Sequence, residues 1–202
     1  MAEGLMVETN WLLDVALQQD DGSTRIWDQA QAGRIDLFVP AFCLAEAVKV
    51  FEAWKQRWRS LDQLLREEVV QASRSPLLLA SAASLSQACR DLEVIADTAE
   101  SRLWELLDLV SRRATLLELR GDALTRFRSI RTNLRLSPAD ALVLASVCIA
   151  HEDGTCSRFM SRDQEAFKKK RDVSEFVLSV GVEYFPDPMG FLRRYLPDSL
   201  RQ

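Results

Sequence analysis

Apolar positions along the chain change their period several times, and each change marks an element. Leu5–Val7 is a short apolar run that stops at Glu8, and from Asn10 to Gln19 the residues Trp11, Leu12, Val15 and Ala16 take helical spacing instead. A short buried strand handing over to a helix is therefore predicted. A second helix is predicted over Thr24–Gly33, with Ser23 as its N-cap and Gly33 just past its end. IDLFVP (35–40) reads as a buried strand closed by Pro40. From Ala47 onward Phe51, Trp54, Trp58, Leu61, Leu65 and Val69 recur at steps of three and four. Ser75-Pro76 breaks this pattern, which resumes through Leu85, Cys89, Leu92, Ala96, Ala99, Leu103, Leu106 and Val110. Two such stripes joined by one break predict a long antiparallel helical hairpin with coiled-coil-like packing. At 1.5 Å per residue each arm is roughly 40–50 Å long.

Beyond the hairpin, strand and helix patterns alternate again. Ala139–Ala150 is apolar almost all round and reads as a buried helix. RFMS (158–161) is a short strand, DQEAFKKKRD (163–172) a helical or turn segment, VEYF (182–185) a last strand, and a short helix lies near Met189–Leu196. Strands separated by helices predict an α/β fold with a mainly parallel sheet. The 202 residues are read as one domain, with a helical insertion at about 52–133.

Composition narrows the chemistry. The net charge of -4, from 26 basic and 30 acidic side chains, argues against a protein that coats nucleic acid nonspecifically. The four cysteines form no CxxC pair, and three lie in apolar helical contexts, so buried thiols are expected rather than disulfides or zinc ligands. The single histidine, His151, has no partner for a Ser-His-Asp or Cys-His arrangement and reads as a surface residue ending a helix. Catalysis, where present, has to run on carboxylates, amines, hydroxyls or a metal held by oxygen. The longest apolar stretches, such as ALVLASVCIA (141–150), are too short to span a bilayer, and MAEGLMVE lacks the pattern of a secretory signal. A cytoplasmic location without membrane contact is the expectation.

Four acids stand where such chemistry would gather. Glu8 ends the first strand, Glu46 lies in the first turns after the second, Asp140 opens the buried helix, and Asp163 follows RFMS. In an open α/β sheet, ligands bind outside the carboxyl ends of the strands, which is where all four are placed to converge. Converging carboxylates repel one another unless cations sit between them. Hard oxygen ligands select Mg²⁺ or Mn²⁺, which activate water for attack on a phosphodiester and shield the charge on the departing oxygen.

ETNWLLDV (8–15), VPAFCLAEA (39–47), SPADALVLAS (137–146) and FMSRDQEAF (159–167) together resemble the PIN-domain nucleases in the order and surroundings of their acids. The resemblance covers about residues 5–50 and 135–190 and leaves the middle unexplained. It implies a three-layer α/β/α sandwich with a mainly parallel central sheet, here with an inserted long helical hairpin, and divalent-metal-dependent hydrolysis of RNA. Carried over by position, Glu8, Glu46, Asp140 and Asp163 would bind Mg²⁺ or Mn²⁺ directly or through water, Ser161 would steady the site by hydrogen bonding, and Asn10 would help orient the first strand turn. The family's first acid is usually Asp. The longer Glu8 moves the carboxylate by more than the roughly 0.5 Å tolerance of a preorganised site. Homodimers and small antitoxin-like protein inhibitors are the partners the resemblance implies.

Arg128, Arg131 and Arg135 share a helix face just before the third acidic motif and are candidates for RNA phosphate contact; the alternative is a solvated face bridging to hairpin acids. Lys168, opening KKKR (168–171), is a further candidate for the RNA backbone. The leading expectation is a metal-dependent endoribonuclease, in the manner of a toxin–antitoxin toxin. The alternative is a PIN-like module that binds RNA or protein with little or no catalysis.

Overall fold

A computed structural model of the chain describes residues 3–168 and 171–197. The elements are β1 (Glu3–Met6), α1 (Thr9–Ala16), α2 (Asp21–Gln31), β2 (Ile35–Pro40), α3 (Ala41–Ala72), a 3₁₀ turn at Pro76–Leu78, α4 (Leu79–Arg113), β3 (Thr115–Leu117), α5 (Gly121–Leu134), α6 (Pro138–Glu152), β4 (Arg158–Met160), a π-turn at Gln164–Lys168, α7 (Arg171–Ser179), β5 (Glu183–Phe185) and α8 (Pro188–Tyr195). Two compact units result: residues 1–47 with 106–202, and residues 48–105.

In the larger unit all five strands are parallel, in the order β3-β2-β1-β4-β5. From β1 the chain steps outward through β2 to β3, then returns across to β4 on the far side of β1 and ends at β5. Right-handed crossovers in opposite directions place the connecting helices on opposite faces of the sheet. The fold is thus α/β, a three-layer α/β/α sandwich, and its topological switch point lies between β1 and β4. Leu5, Val39 and Phe159 from three adjacent strands are completely buried. Pro188 opens α8 after the Asp187 N-cap, whose side chain accepts from Met189 N at 3.0 Å, and α8 packs on α2.

Local chemistry sets most element ends. Gly33, at φ 70°, ends α2 in the left-handed conformation that closes helices. The start of α2 corrects the expectation from sequence: Asp20, not Ser23, is the N-cap, and its carboxylate accepts from Ser23 N at 2.7 Å. An aspartate reaches that amide from one turn earlier, so Ser23 is already inside the helix and completely buried. Ser137 caps α6, accepting from Asp140 N at 3.2 Å while donating to the Asp140 carboxylate at 2.6 Å. α6 itself is lined by buried Val143, Leu144, Val147 and Cys148, as its all-round apolar pattern predicts. All four cysteines are free and buried.

The smaller unit is an antiparallel pair of helical arms from α3 and α4. Ion pairs from Lys55 to Glu100 and from Arg66 to Glu93 fix that sense, because position rises along one helix as it falls along the other. Phe51 and Trp58 meet edge to face at 6.0 Å, and Cys89, Ala99 and Leu103 are buried. Leu61 departs from the predicted seam and is 45% exposed. Among the described residues no helix is long and apolar enough to cross a membrane.

Candidate functional site

Glu8 sits two residues beyond β1, where the strand becomes α1, and it is the N-cap of that helix. One of its carboxylate oxygens accepts from Asn10 N at 2.7 Å, which ties it to the first turn. The other accepts from Ser161 Oγ at 3.1 Å, from the turn after β4. Ser161 Oγ in turn accepts from Asp163 N at 3.1 Å, and Asp163 caps the following turn by accepting from Ala166 N at 2.8 Å. Ser161 is completely buried and Glu8 is 4% exposed. The two loops that flank the switch point are therefore laced together by one hydroxyl.

Glu46 reaches the same edge from α3, which begins directly after β2, and its carboxylate accepts from Thr9 Oγ1. The electrostatics of this edge reflect burial first and the neighbouring acids second. Burial pushes the Glu8 carboxyl up from 4.5 to about 8; the hydrogen bonds from Asn10 and Ser161 pull it down, while the charges of Asp163 and Glu46 push it further up. Cys43, on the same turn of α3 and completely buried, is pushed up to about 12 by its burial, with Glu8 and Glu46 adding to the effect. That thiol is a packing group rather than a nucleophile.

The structure thus brings Glu8, Glu46, Asp163 and Ser161 together. Asn10 takes part through its backbone amide. Asp140 stands at N3 of α6, held by Ser137. Because α6 feeds the start of β4, its N-terminus is at the carboxyl-end edge of the sheet. Arg128 and Arg131 are exposed on α5, and Arg135 ends that helix at φ 51°. Their neighbours Arg120 and Arg126 pair with Asp153, the C-cap of α6, and with Glu152 in its last turn, the latter at 2.6 Å. The side chain of Lys168 lies outside the described residues.

Three contributors carry no signal in the acid pattern. Thr9 orients Glu46, and the only hint is its place beside Glu8. Tyr184, from β5, donates to the Ser161 carbonyl at 3.0 Å and stacks on Phe159 at 5.9 Å. Its hydroxyl is pushed up by burial and then by Glu8 and Asp163. Arg162, between Ser161 and Asp163, makes an ion contact at 2.8 Å with Asp14 of α1, without the alignment of a hydrogen bond, and lies 3.5 Å from Asp20.

The donor set at this edge is all oxygen, and the charge of Glu8 is opposed both by burial and by two neighbouring carboxylates, which is the chemistry a hard divalent cation relieves. As the side chains stand, no group of three or more His, Cys, Asp or Glu among the described residues is set closely enough to hold a metal ion. Glu8, Glu46, Asp163 and Asp140 are each engaged by protein donors instead.

No protein-family model matches the chain, and no curated protein matches it. Two solved structures are similar to it. A chain in the crystal structure of VapBC2 from Rickettsia felis bound to a DNA fragment from their promoter is 13% identical, with a TM-score of 0.45, over 90% of this chain and 97% of that one. The crystal structure of PAE2754 from Pyrobaculum aerophilum is 14% identical, with a TM-score of 0.34, over 89% of this chain and 98% of that one.

Proposed function

We propose that the chain is a PIN-type endoribonuclease that uses Mg²⁺ or Mn²⁺, held by Glu8, Glu46, Asp140 and Asp163. The observation that carries this reading is the gathering of Glu8, Glu46 and Asp163 from the ends of three adjacent strands at the switch point, with Glu8 raised chiefly by burial and further by its two neighbours. A bound divalent cation would supply a water of lowered pKa and shield the charge on the departing oxygen. The chain's own residues hold the edge in place. Asn10 N and Ser161 Oγ aim Glu8, Thr9 Oγ1 aims Glu46, and Tyr184 fixes the Ser161 backbone. Arg128, Arg131 and Arg135 are the proposed phosphate contacts of the substrate. A toxin role with an antitoxin-like inhibitor belongs to the same proposal and rests on the sequence resemblance alone.

One observation favours the second reading, a binding module with little or no catalysis. Both oxygens of Glu8 are turned to protein donors, and a carboxyl at about 8 is mostly neutral at pH 7. Cleavage of an end-labelled mixed RNA pool with Mg²⁺, Mn²⁺ or EDTA separates the two, run beside Asp140→Asn. Metal-dependent cleavage that the variant loses, with its circular dichroism unchanged, supports the nuclease and its centre. Undiminished cleavage in Asp140→Asn sinks the site assignment, and RNA binding without turnover supports the module.

A further inference from the structure

We propose that the hairpin unit, residues 48–105, docks a second copy of this chain through one face of α3, with the two α3 helices antiparallel about a two-fold axis. Among the described residues, nine of the twelve large apolar side chains left exposed belong to this unit, which is far more than its share of the chain. A lone pair of helices has one seam in which to bury its apolar positions, and the remainder faces water unless another surface covers it.

The face on α3 is defined by Arg57, Leu61, Leu64 and Glu68. Steps of four, three and four put them in one row along the helix. All four are exposed, Leu61 by 45% and Leu64 by 60%. The row begins with a cation, ends with an anion and has two leucines between them, an order that is complementary to itself when reversed. A two-fold axis passing between Leu61 and Leu64 sets Leu61 against Leu64 of the partner subunit and Arg57 against Glu68 of the partner subunit. Both pairs then occur twice, as an isologous interface requires. No charged residue stands one turn away on α3 to pair with either of them. The residues three and four positions from Arg57 (Ala53, Trp54, Ser60, Leu61) and from Glu68 (Leu64, Leu65, Gln71, Ala72) are all uncharged. The unit as a whole carries nearly equal numbers of basic and acidic side chains, which suits a copy of itself better than a polyanion.

Sedimentation equilibrium of the full chain across the micromolar range tests this independently of any nuclease activity. The wild-type chain should reach a dimer, and Leu64→Glu should be monomeric with an unchanged helical circular dichroism spectrum. Arg57→Glu and Glu68→Arg, each alone, replace two attractive pairs by two repulsive ones and should weaken the dimer by about tenfold or more. An equimolar mixture of those two variants restores both pairs in a heterodimer and should recover wild-type affinity. A wild-type chain that stays monomeric, a dimer indifferent to Leu64→Glu, or a mixture that fails to recover would each overturn the proposal.

Discussion

Replacing Glu8 by Gln should make the protein more stable in alkaline solution, although it removes a buried hydrogen-bonded group's natural charge. The carboxyl has its pKa raised from 4.5 to about 8 in the folded chain, chiefly by burial. Between those values the folded state holds a proton that the unfolded state has released, so stability falls as pH rises from about 4.5 to about 8 and stays low above that. At about 1.36 kcal/mol per pKa unit the full shift corresponds to at most about 5 kcal/mol. Relaxation and water entry reduce the cost of a buried charge, which leaves about 2–4 kcal/mol as the expected effect. Gln matches the shape of the neutral acid and still accepts from Asn10 N. Urea unfolding in EDTA, for wild type and Glu8→Gln at several pH values from 5 to 9, reads the difference directly. The two should agree near pH 5 and diverge steadily, with the variant ahead at pH 9. Parallel profiles would refute the claim that Glu8 is an ionisable group held against its charge. Adding Mn²⁺ at pH 8 should then raise the wild type and leave the variant unmoved, which tests the proposed cation separately.

Asp20→Ala removes the N-cap of α2 and a carboxylate 3.5 Å from Arg162, and should lower stability by about 1–2 kcal/mol in urea titrations. Gly22→Ala sets two effects against each other. Alanine favours a helix by about 1 kcal/mol, but its Cβ would stand 2.9 Å from the Pro188 ring, and such overpacking costs about 1–3 kcal/mol, so the melting temperature should fall. Tyr184→Phe keeps the stack on Phe159 and loses the bond to the Ser161 carbonyl, for a cost of about 1 kcal/mol in the same titrations.

The parts of the fold that were legible in the sequence are those where several local signals agree. Ile35–Pro40 is bounded by a glycine that closes a helix and a proline that ends the run, and the strand occupies those residues. The long arms show their period over many turns, and the break at Ser75-Pro76 falls between α3 and α4. β3 was not legible, because Thr115–Leu117 is too short to display alternation and follows a helix without a turn signal. α7 was missed for a related reason, since its start is masked by a run of cationic residues. The exposure of Leu61 was not legible either. Steps of three and four place a residue on a helix, but only the neighbouring helix decides which edge of the stripe is covered. At the site, Glu8 and Asp163 could be placed from strand ends alone. Thr9 on Glu46 and Tyr184 behind Ser161 depend on crossovers between elements far apart in the chain, and residue type gives no hint of them.

The Ser161 hydroxyl that joins the two loops bonds a carboxylate 153 residues away. Closing so long a span costs little extra at equilibrium, since each doubling of loop length adds only about 0.6 kcal/mol, and the interposed hairpin is cheap for the same reason. Time is another matter. At a synthesis rate of about 5–20 residues per second, Glu8 is made roughly 8–30 s before its partner. Through that interval β1 can pair with β2 but lacks β4, and the edge where the acids gather has only one of its two walls. Whatever this edge does, a growing chain cannot do it until β4 and Ser161 have been made.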